Sequence, residues 1–157
     1  MKLEFIIFSM TGHTRTVAED ARNKLLESGH DCCLTFLEPK VKLDLRAEIV
    51  DIKHVPELMD CDVAVICTPV HGGKISAPVR SFLTQVGSLV GIRIVLLVTH
   101  FFRQGWGAIQ TLRELGKLCE DKGGEVVGEM NIKWFSIRRK QEIMKSIDHL
   151  SSLVDEL

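Results

Sequence analysis

The sequence predicts a doubly wound α/β domain whose five parallel strands lie in the order 2-1-3-4-5. Three observations carry that prediction. Short apolar runs alternate along the chain with segments of helical period, the signature of βαβ units. Two of those runs, 63–68 and 92–99, are apolar without alternation, as strands covered on both faces are. The 157 residues, 45% of them hydrophobic, suit one domain with a full-sized core, and no repeat, low-complexity segment or linker marks a second.

Residues 2–8 are the first strand. Residues 14–28 follow as a helix, because Val17, Ala18, Ala21 and Leu25 recur on one face and Gly29 stands where a C-terminal cap belongs. Residues 31–37 form a second strand in which Cys32 and Leu34 alternate with Cys33 and Thr35, as suits a sheet edge. Pro39, Pro56 and scattered charges break any long period over 38–59, so one short helix or irregular turns are expected there. After the third strand, 63–68, Pro78 falls in the first turn of a helix whose apolar residues are Val79, Phe82, Leu83 and Val86. Residues 92–99, with the most hydrophobic run of the chain, make a central fourth strand. A helix over 107–122 spaces Ile109, Leu112, Leu115 and Cys119 on one face before Gly123 and Gly124 stop it. Residues 125–132 are the fifth strand, and Ile143, Ile147, Leu150, Val154 and Leu157 stripe a closing helix.

Composition excludes several classes of function. Twenty basic against twenty-one acidic residues leave a net charge of −1, which argues against long-range steering to nucleic acid or an anionic membrane. No apolar run reaches a membrane span and the N-terminus lacks a signal-peptide pattern, so a cytoplasmic protein is expected. The five cysteines, at 32, 33, 61, 67 and 119, show neither a Cys-x-x-Cys pair nor metal-ligand spacing with histidine. They are expected to be buried reduced thiols.

With this strand order a crevice opens at the carboxyl ends of strands one and three, where the loops 9–14, 68–74 and 100–106 meet. The first of them, Ser9-Met10-Thr11-Gly12-His13-Thr14, leads directly from strand to helix. Unpaired N–H groups and the positive end of the helix dipole can hold a phosphate there, with hydroxyls alongside and Gly12 free to take positive φ. The hexapeptide by itself equally suits an ordinary turn in which Thr11 or Thr14 caps the helix. Arg15 either adds a full positive charge or points away into solvent. Other phosphate chemistries find less support. No Gly-x-x-x-x-Gly-Lys-Ser/Thr occurs, the start of a dinucleotide motif at Gly105-Trp106-Gly107 has Gln110 in its third glycine position, and Cys67-Thr68-Pro69 stands where a receiver domain needs an aspartate.

Over nearly its whole length the chain resembles the flavodoxin family. The family's phosphate loop, Ser/Thr-x-Thr/Ser-Gly-x-Thr, is matched at each specified position by the hexapeptide beginning at Ser9. Thr68-Pro69-Val70-His71-Gly72-Gly73, with Arg80, Phe82 and Leu83 after it, looks like the flavin-facing loop. The flavour is closest to flavodoxin-like NAD(P)H:quinone oxidoreductases, which share the Ser-Met-x-Gly-His turn and the Thr-Pro opening. The resemblance implies a flavodoxin-like three-layer sandwich and FMN, with its phosphate on the loop made by Ser9, Met10, Thr11, Gly12, His13 and Thr14. It also implies that the ring lies between Thr68, Pro69, Val70, His71, Gly72 and Gly73 on one side and His100, Phe101, Phe102 and Trp106 on the other. The peptide at Gly72-Gly73 would reorient toward the flavin N5; His71 beside it, whose unperturbed pKa is about 6.5, either hydrogen-bonds the ring or a substrate and supplies protons, or is an exposed loop histidine. No tyrosine occurs in the chain, so the tyrosine that commonly stacks on the flavin in this family is absent.

Two roles follow from the resemblance: an electron carrier serving a redox partner protein, or an NAD(P)H-dependent quinone or flavin reductase. A homo-oligomer in which one subunit covers the other's flavin accompanies the second, and a flavin-free interaction domain is the third option. Lys133, Arg138, Arg139, Lys140 and Lys145 are expected to be solvated surface, with an acidic partner or a pyridine-nucleotide phosphate as the alternatives.

Overall fold

The computed structural model describes residues 1–101 and 106–157. In chain order its elements are β1 (Lys2–Ile7), α1 (His13–Glu27), β2 (Asp31–Phe36), β3 (Val63–His71), β4 (Lys74–Ile75), α2 (Ala77–Gln85), β5 (Arg93–His100), α3 (Trp106–Glu120), β6 (Glu125–Lys133) and α4 (Arg139–Glu156). The parallel sheet runs β2-β1-β3-β5-β6, and the two-residue β4 pairs antiparallel with the end of β3. Without β4 this is the expected order.

The apolar runs have no polar alternation because both faces of the sheet are covered. Leu3, Phe5, Ile7, Val65, Cys67, Val95 and Leu97 pack with residues of α1 and α4 on one face. Ile6, Ile66, Ile94, Leu96 and Val98 pack with residues of α2 and α3 on the other. The helix α1 ends as its sequence requires. Gly29 takes φ +87, its N–H donates to the Leu26 carbonyl at 3.0 Å, and the His30 N–H donates to the Leu25 carbonyl at 3.1 Å, closing a Schellman motif.

Several details differ from expectation. Ile109 is exposed; the buried face of α3 carries the smaller Ala108 and Thr111 beside Leu112, Leu115 and Cys119, which turns Ile109 toward solvent. Leu157 lies beyond α4 and is exposed, and its carbonyl accepts from Arg93 Nη1 at 2.7 Å. Residues 38–59 contain no helix; an antiparallel bridge between Pro39 and Ile52 closes an excursion that the buried Leu37, Ile52 and Leu58 pin to the core. Of the thiols, Cys32, Cys67 and Cys119 are buried as expected, but Cys61 is half-buried and Cys33 is exposed on the edge strand. No helix among the described residues is long and apolar enough to cross a membrane.

Gly29→Ala places a side chain in the left-handed region and is expected to cost about 1–2 kcal/mol in urea denaturation. Gly87→Ala, outside that region and with open space around the added carbon, is expected to leave stability within about 1 kcal/mol of the parent.

Candidate functional site

The carboxyl ends of β1, β3, β5 and β6 share one edge of the sheet. The Phe8 N–H donates to the Cys67 carbonyl at 3.1 Å, so the chain leaves β1 level with the last fully buried residues of β3. Gly12 then takes φ +89 with open space where a Cβ would stand, and its carbonyl accepts the Thr16 N–H at 2.9 Å to start α1. Gly12, at the N-cap position, has no side chain with which to cap the helix. Ser9 Oγ accepts the Arg15 N–H at 3.2 Å. Among the described residues, no acceptor meets the N–H groups of Thr11, Gly12, His13 or Thr14. Those donors stand at the positive end of a 15-residue helix, an arrangement that attracts an anion.

The side chains of the turn divide into two groups. Thr11 is exposed, its Oγ1 3.2 Å from His13 Nδ1, and Met10 is exposed as well. Thr14 instead points inward, buried, with its Oγ1 2.8 Å from Thr99 Oγ1 on β5. Its hydroxyl ties the first turn of α1 to the sheet. Arg15 is the residue that points away: its Nε meets Glu19 Oε1 at 2.7 Å and its guanidinium lies 5.0 Å from the Phe36 ring centroid.

The second expected loop is a β-hairpin. The strand β3 continues through Thr68, Pro69 and Val70 to His71, Val70 pairs with Ile75, and His71 pairs with Lys74. Gly72 and Gly73 form the two-residue turn with φ +56 and +77, both positive as a type I′ turn requires. The buried Thr68 hydroxyl braces the base of the hairpin, 2.8 Å from Ser76 Oγ and accepting the Ser76 N–H at 3.2 Å. Gly107 packs against its tip: a Cβ there would come within 3.2 Å of Gly73 Cα, so a larger residue would push the tip and α3 apart by a few tenths of an ångström. His71 stands edge-on to Phe8, ring centroids 5.9 Å apart at 90°, and its partial burial lowers its pKa below the usual 6.5. Near neutral pH it is an uncharged imidazole. That suits hydrogen bonding better than proton supply.

The third loop and the end of β6 build an aromatic wall. His100 is buried, and its carbonyl accepts the Trp134 N–H at 2.8 Å. Trp134 stacks on His13 with centroids 3.8 Å apart and planes 15° from parallel, and the Arg139 guanidinium lies 4.5 Å from the Trp134 centroid. Phe101 meets His13 at 5.1 Å and Phe135 at 5.3 Å. Loss of hydration, and then the charge of Arg139, lower the His13 pKa. Phe102 and the side chain of Trp106 lie outside the described residues. Trp134, Phe135 and Arg139 belong to the same edge, although none of them lies in the three loops expected to form the site. The signal was the Trp-Phe pair directly after the fifth strand, whose register with β5 carries it to His100 and Lys133.

No sequence profile of a known family and no curated protein sequence matches this chain. Solved structures do. A flavodoxin from Streptococcus pneumoniae TIGR4 has a TM-score of 0.71 and 16% identity, with all of both chains covered. Oxidised Flavodoxin 2 from Bacillus cereus has a TM-score of 0.70 and 16% identity, again over 100% of each chain. The Trp repressor binding protein from Bacillus subtilis has a TM-score of 0.66 and 10% identity, over 98% of this chain and 99% of its own. The fold is flavodoxin-like.

Two predictions follow from these contacts. Thr14→Val and Thr99→Val are each expected to destabilise by about 1–3 kcal/mol, because each strands a buried hydroxyl, while the double variant costs less than the two added together. Additive losses in chemical denaturation would contradict the pairing. In NMR titrations His13 and His71 should both have midpoints below 6.5, and Arg139→Gln should raise the His13 midpoint alone. Both groups bind protons more weakly folded than unfolded. Their effect on stability is therefore absent above about pH 6.5 and destabilising as pH falls through that value toward the folded pKa.

Proposed function

We propose that the turn and the crevice beside it hold FMN, and that the protein carries electrons through it. The observation that carries this reading is the set of unmet N–H groups at Thr11, Gly12, His13 and Thr14, at the carboxyl edge of a sheet with flavodoxin-like topology. A phosphomonoester seated there would accept from those amides and from the Ser9 and Thr11 hydroxyls. No lysine is needed, since convergent amides and the helix dipole supply the positive potential.

Beyond the phosphate, Pro69, Val70, His71, Gly72 and Gly73 supply one side of the ring site. Phe101 supplies the described part of the other, opening from His100. When bound, FMN supplies one- and two-electron transfer. The chain's own contribution is orientation, exclusion of water and hydrogen bonding. An added Cβ at Gly72 or Gly73 would meet nothing within 4 Å, and both residues lack one. The peptide between them can therefore invert from a type I′ to a type II′ turn, presenting either its carbonyl or its N–H to the ring. Uncharged His71 contributes one further donor or acceptor beside it.

The near-even charge favours a second reading, an NAD(P)H-dependent quinone or flavin reductase using the same bound FMN, because a carrier steered to charged partners gains from a stronger net charge.

Quenching of flavin fluorescence tests the binding reading. Thr11→Val should weaken FMN by about tenfold or more, the worth of a hydrogen bond to a charged group, and leave riboflavin unaffected. Absence of FMN binding, or an equal loss for both flavins, would contradict it. Sustained NAD(P)H oxidation with a quinone would select the reductase over the carrier.

A further inference from the structure

The thirteen residues 133–145 hold five of the chain's twenty basic side chains and one of its twenty-one acids. Among the described residues, none of Lys133, Arg138, Arg139, Lys140 and Lys145 has an ion-pair partner. The single acid, Glu142, accepts from the Ser136 hydroxyl at 2.9 Å. Amid these cations, Phe135 is 67% exposed and Ile137 wholly exposed.

The two apolar side chains are held out by a defined turn. Trp134 anchors it through its N–H on the His100 carbonyl and its ring on His13. The Ser136 N–H donates to the Trp134 carbonyl at 3.1 Å, and the Arg139 N–H to the Ser136 carbonyl at 3.2 Å. The resulting ridge adjoins the candidate site, because Phe135 packs on Phe101 and Phe101 on His13 at 5.3 and 5.1 Å.

We propose that this ridge is the docking surface for an acidic protein that exchanges electrons with this chain, a partner assignment that rests on the carrier role proposed above. An apolar centre with a charged rim is the anatomy of a protein interface, and a patch this small fits the brief encounters of electron transfer. Opposite charge on the partner steers the encounter and sets its orientation. A protein seated on Phe135 and Ile137 is brought against the aromatic wall of the site. An anionic bilayer is drawn by the same cations but gains nothing from that adjacency.

The test is an NMR titration of the isotope-labelled protein at low salt with an acidic plant-type [2Fe–2S] ferredoxin and, in parallel, a basic cytochrome c. The ferredoxin should shift amides of residues 134–140, with affinity falling as salt is added, and cytochrome c should leave them in place. Arg138→Glu with Lys140→Glu should weaken the ferredoxin by about tenfold. Phe135→Ser with Ile137→Ser should weaken it while keeping the salt dependence. Shifts that are absent, lie elsewhere or are equal for both probes overturn the proposal. So does sedimentation with phosphatidylserine–phosphatidylcholine vesicles without a ferredoxin response, which assigns the ridge to a membrane surface. The amide shifts read docking with or without FMN, so failure of flavin binding is seen separately.

Discussion

Burial of β1, β3 and β5 on both faces is the constraint from which the rest of the structure follows. A strand with no solvated face meets its backbone hydrogen bonds only through neighbouring strands, and parallel neighbours require a crossover after each strand. Here α1, α2 and α3 lie on crossovers, a helix-free excursion over 37–62 joins β2 to β3, and α4 follows the last strand; each of these segments leaves from the same carboxyl edge. That edge is where the ladder stops and irregular backbone with unmet N–H groups reaches solvent. The position of a ligand site is thus set by the core.

Hydroxyls at this edge serve two purposes that sequence cannot separate. Thr14 and Thr99 bond each other in the interior, and Thr68 does the same with Ser76. Each pair pins a loop to the sheet: the first fixes the start of α1, the second the base of the β3–β4 hairpin. Ser9 and Thr11 remain toward the turn's outer side, free to meet a ligand through their oxygens in addition to the bonds they already make. Of the three hydroxyls in the turn over 9–14, that of Thr14 is therefore scaffold for those of Ser9 and Thr11. Gly107 extends the same logic to the hairpin tip, where α3 packs closely against Gly73.

The strand order, the two-sided core and the turn at Gly12 were legible in the sequence because each depends on local pattern: apolar runs, helical period and a glycine between strand and helix. The hairpin was not. Residues 68–73 carry Pro69 and two glycines, which read as loop, yet the Gly72-Gly73 pair also satisfies a two-residue β-turn, and the Thr68–Ser76 bond that decides between them spans residues whose proximity only the fold creates. The aromatic wall was half legible. Phe101 follows the fourth strand directly, but Trp134 reaches His13 across the sheet edge, a contact between residues 121 apart in sequence. The inward turn of Thr14 was hidden for the same reason, since its partner stands 85 residues away.

The proposed function turns on the backbone of the first turn receiving the phosphate of a flavin mononucleotide. Amide NMR of the labelled protein during FMN addition tests it most directly. Large downfield shifts are expected of the Thr11, Gly12, His13 and Thr14 amide protons, with little change at the opposite edge of the sheet, near Asp31 and Asp62. Unmoved resonances at those four amides under saturating FMN, with shifts concentrated elsewhere, would contradict it.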